Sequence, residues 1–128
     1  MQPIRILHVD DDPDIRDVAG LTLALDPELV VDSVGSGADA LDFMAQTMPD
    51  LMLLDVMMPD MDGPSLFRRM KADPAMAQLP VVFMTAVSDT KIFDTLVELG
   101  AAGIISKPFD PLSLADELKT TFYGCPVD

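Results

Sequence analysis

Five short apolar runs recur at helix-length intervals, and this alternation limits the fold more than any single residue does. IRILHV (4–9), LVVDSV (29–34), DLMLL (50–54), PVVFM (80–84) and AGIIS (102–106) read as strands. The intervals carry helical start signals. Asp12 is an N-cap with Pro13 at the first helical position, and Ile15, Val18, Thr22 and Leu25 supply one face. Ser36 and Asp39 form a capping box ahead of Leu41, Met44, Ala45 and Met48. Asp62, Gly63 and Pro64 open a helix carrying Leu66, Phe67 and Met70. Ser88 caps one with Ile92, Phe93, Leu96, Val97 and Leu99, and Asp110–Pro111 starts the last, with Ala115, Leu118 and Phe122. Alternating strands and helices predict a mainly parallel sheet with helices on both faces. The third and fourth runs are apolar at nearly every position, as strands covered on both sides are.

In such sheets a site lies outside the carboxyl ends of the strands, where strand order reverses. The residues there are Asp10 and Asp11, Asp55, Thr85 and Ala86, and Ser106 and Lys107, the last followed by Pro108. Three carboxylates, a hydroxyl and an ammonium are thus expected together. Carboxylates crowded together repel, and a hard divalent cation such as Mg²⁺ relieves this through oxygen ligands. A lysine and a hydroxyl opposite the metal suit the charge of a phosphoryl group in transfer. The chemistry suggested is phosphoryl transfer onto an aspartate nucleophile.

Bulk properties narrow the partners. A chain of 128 residues is the size of one domain. With 22 acids against 8 bases, its net charge is −14, so direct nucleic-acid binding is not expected. The cluster Arg68, Arg69 and Lys71 reads as a solvated helix face, and the acidity suits cations or basic partner surfaces. The lone cysteine, Cys125, allows no internal disulfide, which is compatible with a reducing cytoplasm. No signal peptide or membrane helix is read, and residues 124–128 are expected to be a short tail after a domain spanning 1–123.

VDDDP, LLDVMMPDMDG, FMTA and SKPF, in this order and at these spacings, resemble the motifs of response-regulator receiver domains of two-component signalling. The likeness runs from about Ile4 to Phe122. It implies a flavodoxin-like, doubly wound α/β fold: a three-layer αβα sandwich with strand order 2-1-3-4-5. It also implies that Asp55 is the phosphoacceptor and that Mg²⁺ is held by Asp10, Asp11, Asp55 and the carbonyl of Met57. Thr85, the Ala86 amide and Lys107 would bind the phosphoryl group, and Lys107–Pro108 is a candidate cis peptide. The implied phosphodonor is a sensor histidine kinase or a histidine phosphotransfer protein. The downstream target stays open, as does phosphorylation-dependent homodimerisation. The chain would be a cytoplasmic switch that assists its own phosphorylation and dephosphorylation, not a turnover enzyme. Two positions depart from the pattern. Ile104 stands where the family often has an aromatic switch residue. Met57 and Val87 are apolar at positions that influence water attack, which implies slow self-dephosphorylation.

Other readings compete. GSGADA (35–40) fits a dinucleotide fingerprint, with Asp55 about twenty residues on, but it follows the second strand and the chain is too short for two nucleotide halves. DDDPD lacks the Gly and Glu of a calcium hand where Ile15 and Leu21 stand. The strongest alternative is a haloacid dehalogenase-like phosphatase, with Asp10 as nucleophile and Asp12 as acid. It expects a further acidic pair after Lys107, which PFDPLSLADEL lacks. Asp60 and Asp62 read as turn and cap residues, His8 as a packed, hydrogen-bonded core histidine, and the methionines as core filler.

Overall fold

Alternate side chains of each central strand point to opposite faces, and here both faces are covered. Leu51 and Leu53 of β3 (Leu51–Asp55) pack with Ala19 and Leu23 of α1 (Pro13–Ala24) and with Leu114 and Leu118 of α5 (Leu114–Tyr123). Met52 and Leu54 pack on the other side against α2 (Gly37–Gln46), α3 (Gly63–Lys71) and α4 (Thr90–Leu99). The remaining strands are β1 (Ile4–Val9), β2 (Leu29–Val34), β4 (Val81–Ala86) and β5 (Gly103–Lys107). The sheet is parallel, five-stranded and ordered β2-β1-β3-β4-β5, which is the three-layer αβα sandwich expected. Strand order reverses between β1 and β3, so the crevice lies at their carboxyl ends. The structure, a computed structural model, describes residues 3–86 and 90–124. Ser88, Val87 and Cys125 lie outside them, as does the expected tail apart from Gly124.

The helix starts follow the sequence signals closely at three places. Asp12, Ser36 and Asp62 are N-caps whose side chains accept from the amides of Asp14, Asp39 and Ser65. Each offsets one of the free N–H groups at a helix start.

The helix faces differ from expectation. On α1, Ala19 and Leu23 are buried, while Val18 and Leu25 are 47% and 84% exposed. The small Ala19 faces the sheet, Ile15 and Thr22 of the expected face are half-buried, and Val18 and Leu25 turn toward solvent. On α2 the core takes Ala40 and Met44, which leaves Ala45 exposed and Leu41 only half-buried. On α4, Leu96 is buried and Val97 is exposed. Asp110 does not cap α5. Its carboxylate accepts from the Leu112 amide and its carbonyl from Ser113 and Leu114, which makes a turn that delays the helix to Leu114.

Glycine is required where α3 meets β3. A Cβ on Gly63 would run into the carbonyl oxygen of Asp55 and stand 3.1 Å from the Val56 Cα. The Gly63 amide donates to the Val56 carbonyl at 2.9 Å, so the two backbones cannot separate freely. Gly63→Ala is expected to cost about 1–3 kcal/mol in urea unfolding, because backbone must move to admit the methyl. Gly20, inside α1 with open space around it, is the control: Gly20→Ala is expected to stabilise by about 0.5–1 kcal/mol.

Candidate functional site

Four charged side chains meet at the carboxyl edge of the sheet. Asp10 follows β1 directly and is fully buried. Its Oδ1 accepts from the Asp12 amide at 2.9 Å, and its carbonyl accepts from Arg16 Nη1 at 2.7 Å. Asp55 ends β3 and is 4% exposed. Lys107 ends β5 and reaches across β4, placing Nζ 3.0 Å from Asp55 Oδ1 and 3.1 Å from Asp10 Oδ2. Asp11 is exposed, and one oxygen from each of Asp10, Asp11 and Asp55 lies within 4.8 Å of the others.

One ammonium therefore serves two buried acids beside a third. Burial lifts the Asp55 pKa above the ordinary carboxylate value. The Lys107 hydrogen bond opposes the rise and the Asp10 charge adds to it. Burial pulls the Lys107 pKa down, but its hydrogen bonds to Asp55 and Asp10 outweigh that, and its pKa lies above the usual value. A simple ion pair would lower Asp55. Three carboxylates against one ammonium leave a surplus of negative charge. Oxygen donors at this spacing with this surplus fit a small hard cation.

The family described as "Response regulator receiver domain" matches residues 6–119. The chain is a response-regulator receiver. Response regulator Rre1 of Synechocystis is 34% identical over 118 residues, covering 92% of this chain and 49% of that protein. The DNA-binding response regulator MtrA of Mycolicibacterium smegmatis is 38% identical over 116 residues, 90% of this chain and 49% of that one. The receiver thus spans about half the length of these curated relatives. The receiver domain of a signal transduction histidine kinase from Syntrophus aciditrophicus superposes with a TM-score of 0.83 at 32% identity, covering 97% of this chain and 93% of that one. Chemotaxis response regulator CheY4 of Vibrio cholerae gives 0.84 at 25%, covering 94% and 99%.

Around the charged group, Thr85 is buried near the end of β4 and Ala86 pairs in register with Lys107. The Met57 amide hydrogen-bonds the Asp55 carboxylate, while its side chain is 74% exposed. The Lys107–Pro108 peptide is cis. Ile104 is half-buried against the α2–α4 side of the core, on β5 but away from the charged edge. Asp60 takes a left-handed conformation, φ 68°, in the turn before α3. Asp12 and Asp62 are engaged as caps. The GSGADA loop lies at the edge strand β2, where Gly37 abuts Met61, and not at the switch point.

Two neighbours of the site were not legible as such. Arg16, the only base in residues 10–17, holds the Asp10 backbone, and its guanidinium also packs over Gly35. A lone base among acids was the available signal. His8 is buried as expected, but neither ring nitrogen has a hydrogen-bond partner among the described residues. Its Nε2 stands 3.9 Å from Asp10 Oδ2, too far for a direct bond. Burial lowers the His8 pKa from 6.5 to about 4, against the pull of Asp10. The histidine is therefore neutral in the fold at pH 7.

The folded value lies below the unfolded one, so above about pH 6.5 His8 adds no proton-linked cost to folding. As the pH falls toward 4 a cost of roughly 3 kcal/mol builds up, because the unfolded chain binds the proton and the fold does not. Asp55 works with the opposite sign, since its raised pKa makes protonation favour the fold. The difference between wild type and His8→Leu isolates the histidine. The variant is expected to gain about 1–2 kcal/mol at pH 7, from removing two unpartnered buried atoms, and to lose less stability between pH 6.5 and 4. Urea melts across that range measure both.

Proposed function

We propose that Asp55 accepts a phosphoryl group from the phosphohistidine of a sensor histidine kinase or a histidine phosphotransfer protein, and that the modification switches partner binding. The observation that carries this is the Lys107 ammonium lying 3.0 Å from Asp55 Oδ1 while also pairing with Asp10. An Asp55 oxygen attacks phosphorus as the P–N bond to the donor imidazole breaks, and the imidazole leaves with its electron pair and takes up a proton. Lys107 then turns from a carboxylate to a phosphoryl oxygen without leaving its place. The Thr85 hydroxyl and the Ala86 amide donate to the other oxygens. Asp10, Asp11, Asp55 and the Met57 carbonyl would hold Mg²⁺, which when bound offsets the charge of the carboxylates and the incoming phosphoryl group.

The added charge biases β4, β5 and the helices beside them. Ile104, lacking an aromatic ring, transmits it through packing against the α2–α4 side of the core. The exposed Met57 side chain cannot hydrogen-bond an attacking water, which supports a slow self-dephosphorylation. Beside Lys107 lies an apolar groove of about 260 Å³ lined by Ile15, Val18, Pro108 and Phe109. It offers the donor protein a surface next to the reacting carboxylate. Among the described residues no helix is long and apolar enough to cross a membrane. A cytoplasmic site of action, opposite a kinase's cytoplasmic phosphohistidine, suits this reading. The DNA binding in the name of MtrA belongs to that protein, which is about twice the matched length. We assign no nucleic-acid contact to these residues.

A phosphatase using Asp10 would need Asp12 as acid, but Asp12 caps α1 and accepts from Asp14 at 2.9 Å. Incubation with Mg²⁺ and a small acyl phosphate, followed by intact mass measurement, separates the two. The phosphoacceptor reading expects a stable phosphoryl adduct that disappears in Asp55→Asn. Catalytic turnover lost in Asp10→Asn with no adduct would overturn it.

A further inference from the structure

Two features of the sequence are only partly taken up by the core or the charged site: the apolar stripe on α2, of which Met44 is buried while Leu41 and Met48 are not, and the basic cluster on α3. The fold sets them side by side. Leu41, Met44, Met48 and Met76 line a groove of about 440 Å³ between α2 and α3, with Arg69 and Asp73 also lining it. Met48 is 40% exposed and Leu41 half-buried, so the stripe expected to face the core is partly open to solvent.

Arg68, Arg69 and Lys71 are exposed in the last turn of α3, three of the chain's eight bases within four residues. Their position at a helix C-terminus suits the macrodipole. That does not account for their lack of acidic partners in a chain with 22 acids. Neither arginine has an ion pair among the described residues, and Lys71 donates to the Ala77 carbonyl instead. Lys119, by contrast, lies within 4 Å of carboxylates of Asp26, Glu28 and Asp116. Folding has left Arg68 and Arg69 without an acidic partner among the described residues, while Lys71 is held by the Ala77 carbonyl and lies 5.1 Å from the Phe67 ring centre. A methionine-lined surface adapts to different apolar side chains, which suits a helix laid in a groove.

We propose that the α2–α3 groove docks an acidic amphipathic helix of a partner protein. Leucine or methionine side chains at helical spacing would enter between Met44, Met48 and Met76, and flanking carboxylates would reach Arg68 and Arg69. The overall charge of −14 repels such a helix at long range. Screening confines that repulsion to about 8–10 Å in physiological salt, so the local bases decide the contact. Asp73 is the like charge that the partner must avoid. A second copy meeting groove to groove is disfavoured, since its Arg68 and Arg69 would face those of the first. The groove lies on the α2–α4 side of the sheet, opposite α1, so its occupant leaves the Asp55 entrance beside Ile15 and Val18 free. The proposal does not rest on the phosphoacceptor reading.

The test uses the full chain and two labelled helical peptides of one leucine pattern, one bearing glutamates and the other lysines. Fluorescence anisotropy is expected to give the glutamate peptide an affinity at least about tenfold higher. The double variant R68E/R69E is expected to reverse that preference. Met48→Glu weakens the glutamate peptide, whereas Lys91→Glu on α4 and Asp55→Asn leave it unchanged. Absence of glutamate-peptide binding, a preference for the lysine peptide, or indifference to R68E/R69E would each overturn the proposal. So would concentration-dependent dimerisation that R68E/R69E abolishes, because the groove would then belong to a second copy.

Discussion

A single ammonium joins the ends of three strands, and the charged edge of the sheet depends on it. Lys107 leaves β5, passes the end of β4, and contacts both Asp55 of β3 and Asp10 after β1. Without it, two buried carboxylates would face each other with a third nearby. Their charges would repel unrelieved, and Asp55, whose pKa burial already raises, would hold its proton more readily, which makes an aspartate a poor nucleophile. The same pairing holds the lysine above its ordinary pKa, so it stays a cation at the place where anionic oxygens would arrive. The arrangement is tense by construction: burial raises Asp55 even with its cation in place.

Backbone contacts around the cluster fix where these side chains begin. Asp10 is gripped from three directions: its amide donates to the Val34 carbonyl, its carboxylate accepts from the Asp12 amide, and its carbonyl accepts from Arg16. The cap that starts α1 and the arginine one turn further along that helix thus belong to the same anchor. At β3, Gly63 lets the start of α3 touch the backbone on which Asp55 is mounted. Two helix starts therefore do local work for the site as well as for their helices.

The strands and the residues at their ends were legible because one constraint governs both. A strand covered on two faces must be apolar throughout, so the first acid, hydroxyl or base after it marks where the chain meets water. That reasoning brings together Asp10, Asp11, Asp55 and Lys107 from distant segments. Helix faces were less legible. A helix can rotate about its axis to bury whichever stripe packs best, and on α1 the pair Ala19 and Leu23 does so in place of the larger Val18 and Leu25. The start of α5 departs from its sequence signal because Asp110 can serve a turn as well as a cap, and its carboxylate accepts from the amide of Leu112. The isolation of His8 was beyond sequence reasoning. Whether a buried ring finds a partner depends on ångström distances across the sheet, and Asp10 stops 0.4 Å beyond the 3.5 Å limit of a hydrogen bond, at 3.9 Å.

The two sides of the sheet also divide the surplus of apolar surface. On one side, Val18, Leu21, Leu25 and Leu112 are exposed around α1 and the turn before α5, bordered by acids such as Asp14, Asp26 and Asp116. On the other, Met48 and the groove beside it are lined by Arg69 and Asp73, with Arg68 exposed next to Arg69 on α3. Apolar area of this kind is neutral about what covers it, so the surrounding charge sets the choice. An acidic border admits basic partners and a basic border admits acidic ones. A chain of 128 residues can in this way present two unlike surfaces while the layer between them stays one continuous, closely packed sheet.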